Sequence, residues 1–471
     1  MKTGVFPNVS DTMVDRNRTR ATPDARMIRD GWRVCYFLQR GPTDGDGQCI
    51  YGHDNDRDIY KFRTLAEDYD KRRFMKRQKS NMALLCGAAA IILGAFMILL
   101  TDGSEGKVSQ LVIGTYGEHL YTYSFDHKQN KFEFQDKAEA HNASYALAGR
   151  MLDGGTGIYA VSECGEESGV FSFEIDASDS TGKGNIVQTG HKQQTGADPC
   201  FVLLFDEGKY MMTADYSGGS VSAFPITDGA VGDLCASLKF EGSGPVTDRQ
   251  ESSHIHQLKV LPGQESNWIL ASDLGVDVIR LIKSETTGAD SGAKLALAHV
   301  QDIPCPAGSG PRHMEFNNEG TILYCIAELS GEVLVYDICH EGDVPAFTLK
   351  QQIQADEVNA GGSADIHIHP SGRWLYTSHR LKNDGIAAFH IFPDGTLKKM
   401  DYTITGSHPR NFMITDDGEY LLVACRDDKC VQVFQILPTG RLAQTSTTLR
   451  FDEDKPVCVT VIPDTALPEQ K

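Results

Sequence analysis

The chain has 471 residues, 40% hydrophobic and 23% charged, enough apolar material for one large domain or for two or three ordinary ones. A formal net charge of −19 argues against a nucleic-acid partner, because phosphate backbones need a basic surface, although a local pocket on an acidic protein can still be basic. The 12 cysteines include no C-x-x-C pair and no regular His/Cys spacing, so no structural zinc and no other metal is expected.

In chain order, residues 1–79 are polar, rich in Arg, Asp and Lys, and poor in periodic apolar pattern, which predicts a mostly disordered or weakly ordered tail. Residues 82–100, MALLCGAAAIILGAFMILL, follow without a charge. A helix of that length spans roughly 28 Å at about 1.5 Å per residue, close to a bilayer core of about 30 Å. The run is apolar on every face and sits at a composition boundary, so 80–102 reads as a transmembrane or signal-type helix rather than a buried core helix. Lys71, Arg72, Arg73, Lys76, Arg77 and Lys79 precede it, while Asp102 and Glu105 follow. The positive-inside bias leaves the N-terminus in the cytoplasm and places the remainder on the other side. A second reading starts translation at Met75, which begins a basic stretch and apolar run laid out like a secretory signal; the domain would then be exported after cleavage. The length of the run and the lack of an A-x-A site favour the anchor.

From residue 108 the pattern changes to short strands and turns. A two-strand unit recurs seven times, about fifty residues apart: from Leu111, Ile158, Tyr210, Trp268, Leu323, Leu375 and Leu421. Before most copies lies a further strand ending in a turn such as FNNEG or HPSG. The spacing gives about four strands per unit, which predicts an all-β, seven-bladed β-propeller over 103–471, its repeats running from 108 to 465. The array begins with the second strand of a blade and ends with PVCVTVIP from Pro456, which looks like an unpartnered first strand. Pairing Val457–Ile462 with Leu111–Thr115 closes the ring and removes a free sheet edge.

This topology sends the starts of first strands and the ends of second strands to one mouth of the central channel. First-strand starts carry Asn142, Pro199, His254 with His256, Arg312 with His313, Asp365 and Arg410. Second-strand ends carry Glu163, Asp215, Asp273, Glu328, Arg380 and Arg426. Any one of these could be a solvated loop residue. Their repetition over six blades points to an anion-binding catalytic pocket. His254 and His256 share one face of an extended strand, so both can enter the pocket.

The segments DRQESSHIHQLKV with SDLGVDVI, GSGPRHMEFNNEGTILYCIAEL, DIHIHPSGRWLYTSHR and GSHPRNFMITDDGEYLLVAC resemble the seven-bladed lactonase family. That family groups propeller-type 6-phosphogluconolactonases with carboxymuconate-lactonizing enzymes. The resemblance covers nearly all of residues 108–465, and its most specific pieces are the H-x-H after Arg-Gln and the G-x-G-P-R-H with Glu328 sixteen residues after Arg312. It implies a catalytic set of His254 or His256, Arg312, Glu328 and Arg380. His313, Arg410, Asp215 and Asp273 are the candidate substrate-binding residues. Arg312 would hold the growing oxyanion, Glu328 or a histidine would take a proton from water, and Arg380 with His313 or Arg410 would hold a phosphate or carboxylate. His379 and Cys425 stand where family members commonly carry Asn, a departure that bears on substrate choice.

The implied substrate is a small anionic or sugar-derived lactone, with no cofactor, since no phosphate-binding glycine motif sits between a strand and a helix. A cycloisomerase acting on a carboxymuconate-type diacid is the alternative reaction, and a non-catalytic binding platform is the alternative role. Asn8, Asn17 and Asn142 head glycosylation-type triplets that are common by chance. Cys425 and Cys430 flank a hairpin turn and could pair in an exported domain, but buried free thiols are the better reading.

Overall fold

The computed structural model describes residues 28–30, 33–35, 107–151, 154–176, 184–263, 267–287 and 294–463. The apolar run 82–100 lies outside them, as does the expected tail apart from a hairpin of Ile28–Asp30 and Arg33–Cys35. Among the described residues no helix is long and apolar enough to cross a membrane. The chain divides into two units, Met1–Gly103 and Ser104–Lys471.

The second unit is a ring of seven antiparallel sheets. Blade 1 joins Lys455–Ile462 to Val108–Tyr116, His119–Asp126 and Lys131–Glu139. The inner two strands of blades 2 to 7 are Ala146–Arg150 with Thr156–Ser162, Pro199–Phe205 with Tyr210–Asp215, Ile255–Val260 with Trp268–Asp273, Pro311–Phe316 with Ile322–Ala327, Ser363–Ile368 with Trp374–His379, and Pro409–Ile414 with Tyr420–Cys425. Five of the seven sheets are plain four-stranded paths, and in blades 2 and 3 two short strands share the outer positions.

Strand position explains residue choice. Second strands are covered on both faces, so ILYCIA at Ile322–Ala327 is apolar and buried throughout. The outermost strands keep one side in water, and Ala346–Gln354 alternates between exposed and partly covered positions. The apolar residues collect into seven clusters, one between each pair of neighbouring blades. Among the described residues each cluster of buried side chains joins two neighbouring blades, so the ring is glued blade to blade, which leaves the axis for polar groups.

The ring closes as the offset ends predict, with Leu111 opposite Val461, Ile113 opposite Val459 and Thr115 opposite Pro456. A polar pin supports that seam on the face away from the mouth. His127 of blade 1 bonds Ser109 Oγ at 2.9 Å through Nε2 and Asp417 of blade 7 through Nδ1, while the Tyr420 hydroxyl donates to its carbonyl at 3.0 Å. On the mouth face, Asp454 accepts from Glu118 N at 3.0 Å and from Tyr121 Oη at 2.7 Å. Cys425 and Cys430 face each other across their hairpin as free thiols.

Candidate active site

Six first strands carry a β-bulge at the mouth, between Pro456 and Cys458, Pro199 and Phe201, Ile255 and Gln257, Pro311 and His313, Ser363 and Ile366, and Pro409 and Asn411. A bulge leaves one residue without a partner and re-aims its side chain. In four blades that residue is Cys200, His256, Arg312 and Arg410. The second strands add the residue just past their ends: Glu163, Tyr216, Glu328, Arg380 and Arg426 in blades 2, 3, 5, 6 and 7. The backbone thus places these residues at comparable positions around one channel mouth.

At its centre stands Glu328, which is buried and meets three guanidiniums from three directions. Arg312 Nε and Arg380 Nη2 lie 2.7 and 3.1 Å from Oε2, the former too far off the N–H axis for a good hydrogen bond. Arg249 Nη2, from the loop before blade 4, donates to Oε1 at 2.6 Å. Burial alone would raise the pKa of Glu328, but Arg380, Arg312 and Arg249 outweigh it and hold the carboxyl down at about 2. Burial lowers Arg380 to about 9 even with Glu328 beside it, so it remains a cation at neutral pH. Arg380 is held by its Nε bond to Gly362 O at 2.8 Å and by Nη1, which donates to His408 Nε2 at 3.3 Å.

The G-S-G before Pro311 is a built turn. Gly308 and Gly310 adopt φ of +74° and +63°, conformations open to glycine, and their N–H groups donate to Asp277 at 2.6 and 2.8 Å. Gln250 donates to the same carboxylate at 2.8 Å. Asp277 therefore sets both the loop that delivers Arg249 and the turn that delivers Arg312.

The histidines separate. His254 stacks on Tyr216 at 4.4 Å, donates from Nδ1 to Tyr216 O at 3.0 Å, and has Glu251 Oε1 3.2 Å from Nε2. His256 is buried, with its ring 5.2 Å from that of His313, and its Nδ1 has no hydrogen-bond partner. Burial, then Arg312 and His313, push its pKa well below the usual imidazole value, so the ring is neutral. His313 is lowered to about 4 by burial and Arg312; its Nδ1 bonds Asp365 Oδ1 at 2.7 Å and its Nε2 is unpartnered. Asp365 also holds His367 Nε2 at 3.1 Å, and this ion pair raises His367 to about 9 despite burial.

A second group completes the mouth. Tyr116 Oη donates to Glu163 Oε2 at 2.8 Å, and Arg410 stands 3.9 Å from the same oxygen and 5.4 Å over the Tyr116 ring. Among the described residues Arg249, Arg312, Arg380 and Arg410 pair with Glu328 and Glu163, while His367 and Lys259 balance Asp365 and Glu315. This cluster keeps two positive charges in excess, on a chain whose net charge is −19.

Of the residues expected from sequence, the structure brings together His256, Arg312, His313, Glu328, Arg380 and Arg410, with His254 behind Tyr216. Asp215 and Asp273 do not join them. Asp215 is fully buried and accepts from Thr213, Ser220 and Ser222 at 2.7, 2.9 and 2.7 Å. Asp273 accepts from Ser253, His254 N and Arg280 at 2.6, 2.9 and 2.8 Å. Both are the last residue of a second strand, in register with Ala327 and His379, one position before Glu328 and Arg380. One step along a strand turns a side chain to the other face. Arg426 pairs with its neighbour Asp427 at 2.8 Å, and Asn142 makes a turn at φ +49° with Nδ2 on Glu163 O at 3.3 Å. Sequence reading missed Tyr116, Tyr216, Arg249 and Asp277. Tyr216 follows Asp215 and was visible as the register mate of Glu328; Arg249 lies in the Arg-Gln that precedes H-x-H.

Comparisons with known proteins place the fold in a family. The family described as lactonase, 7-bladed beta-propeller, matches residues 110–461. A protein named 6-phosphogluconolactonase from Formosa agariphila is 29% identical over 69% of this chain and 91% of its own length, and one of the same name from Bacillus subtilis is 27% identical over 74% and 96%. Among solved structures, a putative 6-phosphogluconolactonase from Bacteroides fragilis superposes with a TM-score of 0.67 and 35% identity, covering 77% of this chain and 99% of that one. A periplasmic gluconolactonase from Pseudomonas aeruginosa shares the fold at a TM-score of 0.65 and 24% identity, covering 76% and 99%.

Proposed function

We propose a lactone hydrolase, and the premise is direct: this chain belongs to the seven-bladed β-propeller lactonase family. The substrate is a sugar-acid lactone, and the observation that carries this reading is the surplus of guanidiniums around Glu328. Water adds to the lactone carbonyl and its proton passes to Glu328 or to the free Nδ1 of His256. The tetrahedral oxyanion is stabilised by Arg312 and Arg380, both charged and already dry, so little reorganisation is needed as charge develops. The ring C–O bond then breaks and the departing alkoxide takes up a proton, consuming one water in all. His256 is the better of the two strand histidines, because the ring nitrogens of His254 already have partners.

The relatives named 6-phosphogluconolactonase favour a phosphorylated substrate, and the excess positive charge suits one. A cycloisomerase would need a proton donor at the mouth. The low pKa values of His256, His313, Glu328 and Asp365 weigh against that reading, and the protonated His367 is engaged by Asp365 and Glu315. The test is a panel of phosphorylated and unphosphorylated aldonolactones, with a carboxymuconate as the competing substrate. Lactone opening is expected and cycloisomerisation is not; turnover of the diacid alone reverses the assignment. The membrane anchor at 82–100 has its own test. Protease added outside sealed cells should release the propeller, and full protection rejects that topology.

A further inference from the structure

Glu328 is held unevenly by its three arginines. Oε2 faces two of them, Arg312 and Arg380, whose side chains are 2% and 6% exposed. Each has further anchors: Arg312 Nη1 donates to Ala364 O at 2.5 Å, and Arg380 reaches the carbonyls of Gly362 and Ser363 at 2.8 and 3.4 Å. Oε1 receives only the donor from Arg249, whose side chain is 38% exposed. Arg249 also bonds the Tyr216 side chain at the rim. Its backbone is fixed, because buried Gln250 bonds Leu274 O and Asp277 at 2.8 Å each and accepts from Val246 N at 3.0 Å. These bonds tie the loop to blade 4, and the long side chain it presents is the accessible member of the cluster.

This matters because a carboxylate oxygen bonded at 2.6 Å to a guanidinium is poorly placed to accept a proton from water. On the lactonase reading above, Oε1 is the oxygen of Glu328 less crowded by buried cations, and Arg249 covers it. We propose that Arg249 is a substrate-responsive cover on Glu328: the anionic tail of a bound lactone draws its guanidinium off Oε1, and Oε1 then takes the proton from the attacking water. The other charged and titratable groups facing Glu328 are Arg312 from blade 5, Arg380 from blade 6, Arg410 from blade 7 and Tyr216 from blade 3. None of these is on the loop that carries Arg249, so the cover leaves by giving up its bonds to Glu328 Oε1 and the Tyr216 side chain while the three arginines stay in place. Losing one of three guanidiniums also raises the proton affinity of Glu328, toward the range where a carboxylate serves as a base. The anion that binds is thereby the one that exposes the base, which makes Arg249 a positioning residue that favours charged over neutral lactones.

The experiment compares the full-length protein with Arg249→Gln and Arg249→Lys on a phosphorylated aldonolactone and its unphosphorylated counterpart, across pH. For Arg249→Gln, KM for the phosphorylated lactone is expected to rise about tenfold, the worth of one charge-assisted hydrogen bond. Its kcat on the neutral lactone should increase, and the acid limb of kcat/KM on that substrate should move up by about one pH unit. Arg249→Lys keeps a cation over Oε1 and should leave the neutral lactone slow. Equal losses on both substrates, an unmoved acid limb, or a Lys variant that behaves like Gln overturns the proposal. Calorimetric titration with the phosphorylated and unphosphorylated aldonic acids provides a readout without turnover. Arg249→Gln should weaken the first about tenfold and spare the second, and parallel weakening rejects the contact. If the parent opens neither lactone, the lactonase reading fails, and the titration alone decides whether Arg249 meets the anion.

Discussion

Asp273 and Glu328 stand one blade and one register position apart, and the fold puts them to opposite uses. Asp273 closes its strand and is surrounded by its own blade: Ser253, the His254 and Gly275 amides, and Arg280. Arg280 is shared with Asp302 at 2.8 Å, so that group has more carboxylate than guanidinium. Glu328 lies just beyond its strand and is met by arginines from three parts of the ring, with guanidinium in excess. The first network has every partner nearby in sequence and ties one blade together. The second is assembled only when blades 4, 5 and 6 are in place, and it leaves buried polar atoms at His256 and His313 without partners. A satisfied network stabilises; an unsatisfied one at a channel mouth is prepared for a ligand.

The largest effect expected from breaking this contrast is on stability. Asp273→Asn removes one partner of a buried ion pair and should lose about 3–5 kcal/mol, read as a lower denaturation midpoint. Turnover of the folded fraction should stay close to that of the parent. A variant that instead loses activity at full stability would move Asp273 into the site.

Glu328→Gln should do the reverse in kind. Loss of a general base costs roughly a hundredfold in kcat, measured on whichever lactone the parent opens fastest. A lower melting temperature should accompany it, because three guanidiniums then lack their counter-charge. Near-parental turnover would leave His256 as the base.

Arg312→Lys tests geometry rather than charge. Lys keeps the cation but loses the planar fork and the bond to Ala364 O, so turnover should drop by about tenfold while the melting temperature changes little. The opposite pattern would make Arg312 a structural strut.

The smallest effect sharpens the contrast through pH. Asp215 is raised from 3.8 to about 6 because burial outweighs its three hydroxyl donors. A raised carboxyl stabilises the fold when protonated, so its contribution is present below about pH 4 and is lost as pH rises through about 6. Glu328 is lowered from 4.5 to about 2, so its contribution is present above about 4.5 and is lost as pH falls through about 2. Asp215→Asn should therefore flatten the melting temperature between pH 4 and pH 6 and leave the acid-side fall intact. A parent with no decline across that window would contradict the raised pKa.

The sequence by itself determined the ring. Seven units at a spacing of about fifty residues, with a missing strand at one end and a spare strand at the other, admit one closure, because strand alternation and turn residues are local properties of the chain. It also determined that Arg312 and Glu328 meet, since both lie on one out-and-back path whose length is set by the backbone. Tertiary structure decided which polar residues face the axis. Asp215 and Asp273 occupy strand ends much as Glu328 does, but facing reverses with each residue, and their ends fall one position earlier. The three bulges that aim His256, Arg312 and Arg410 depend on how each first strand pairs, which no local pattern announced. The meeting of Arg249 with Glu328, 79 residues away and from the loop before another blade, required the blades to pack before those charges could find one another.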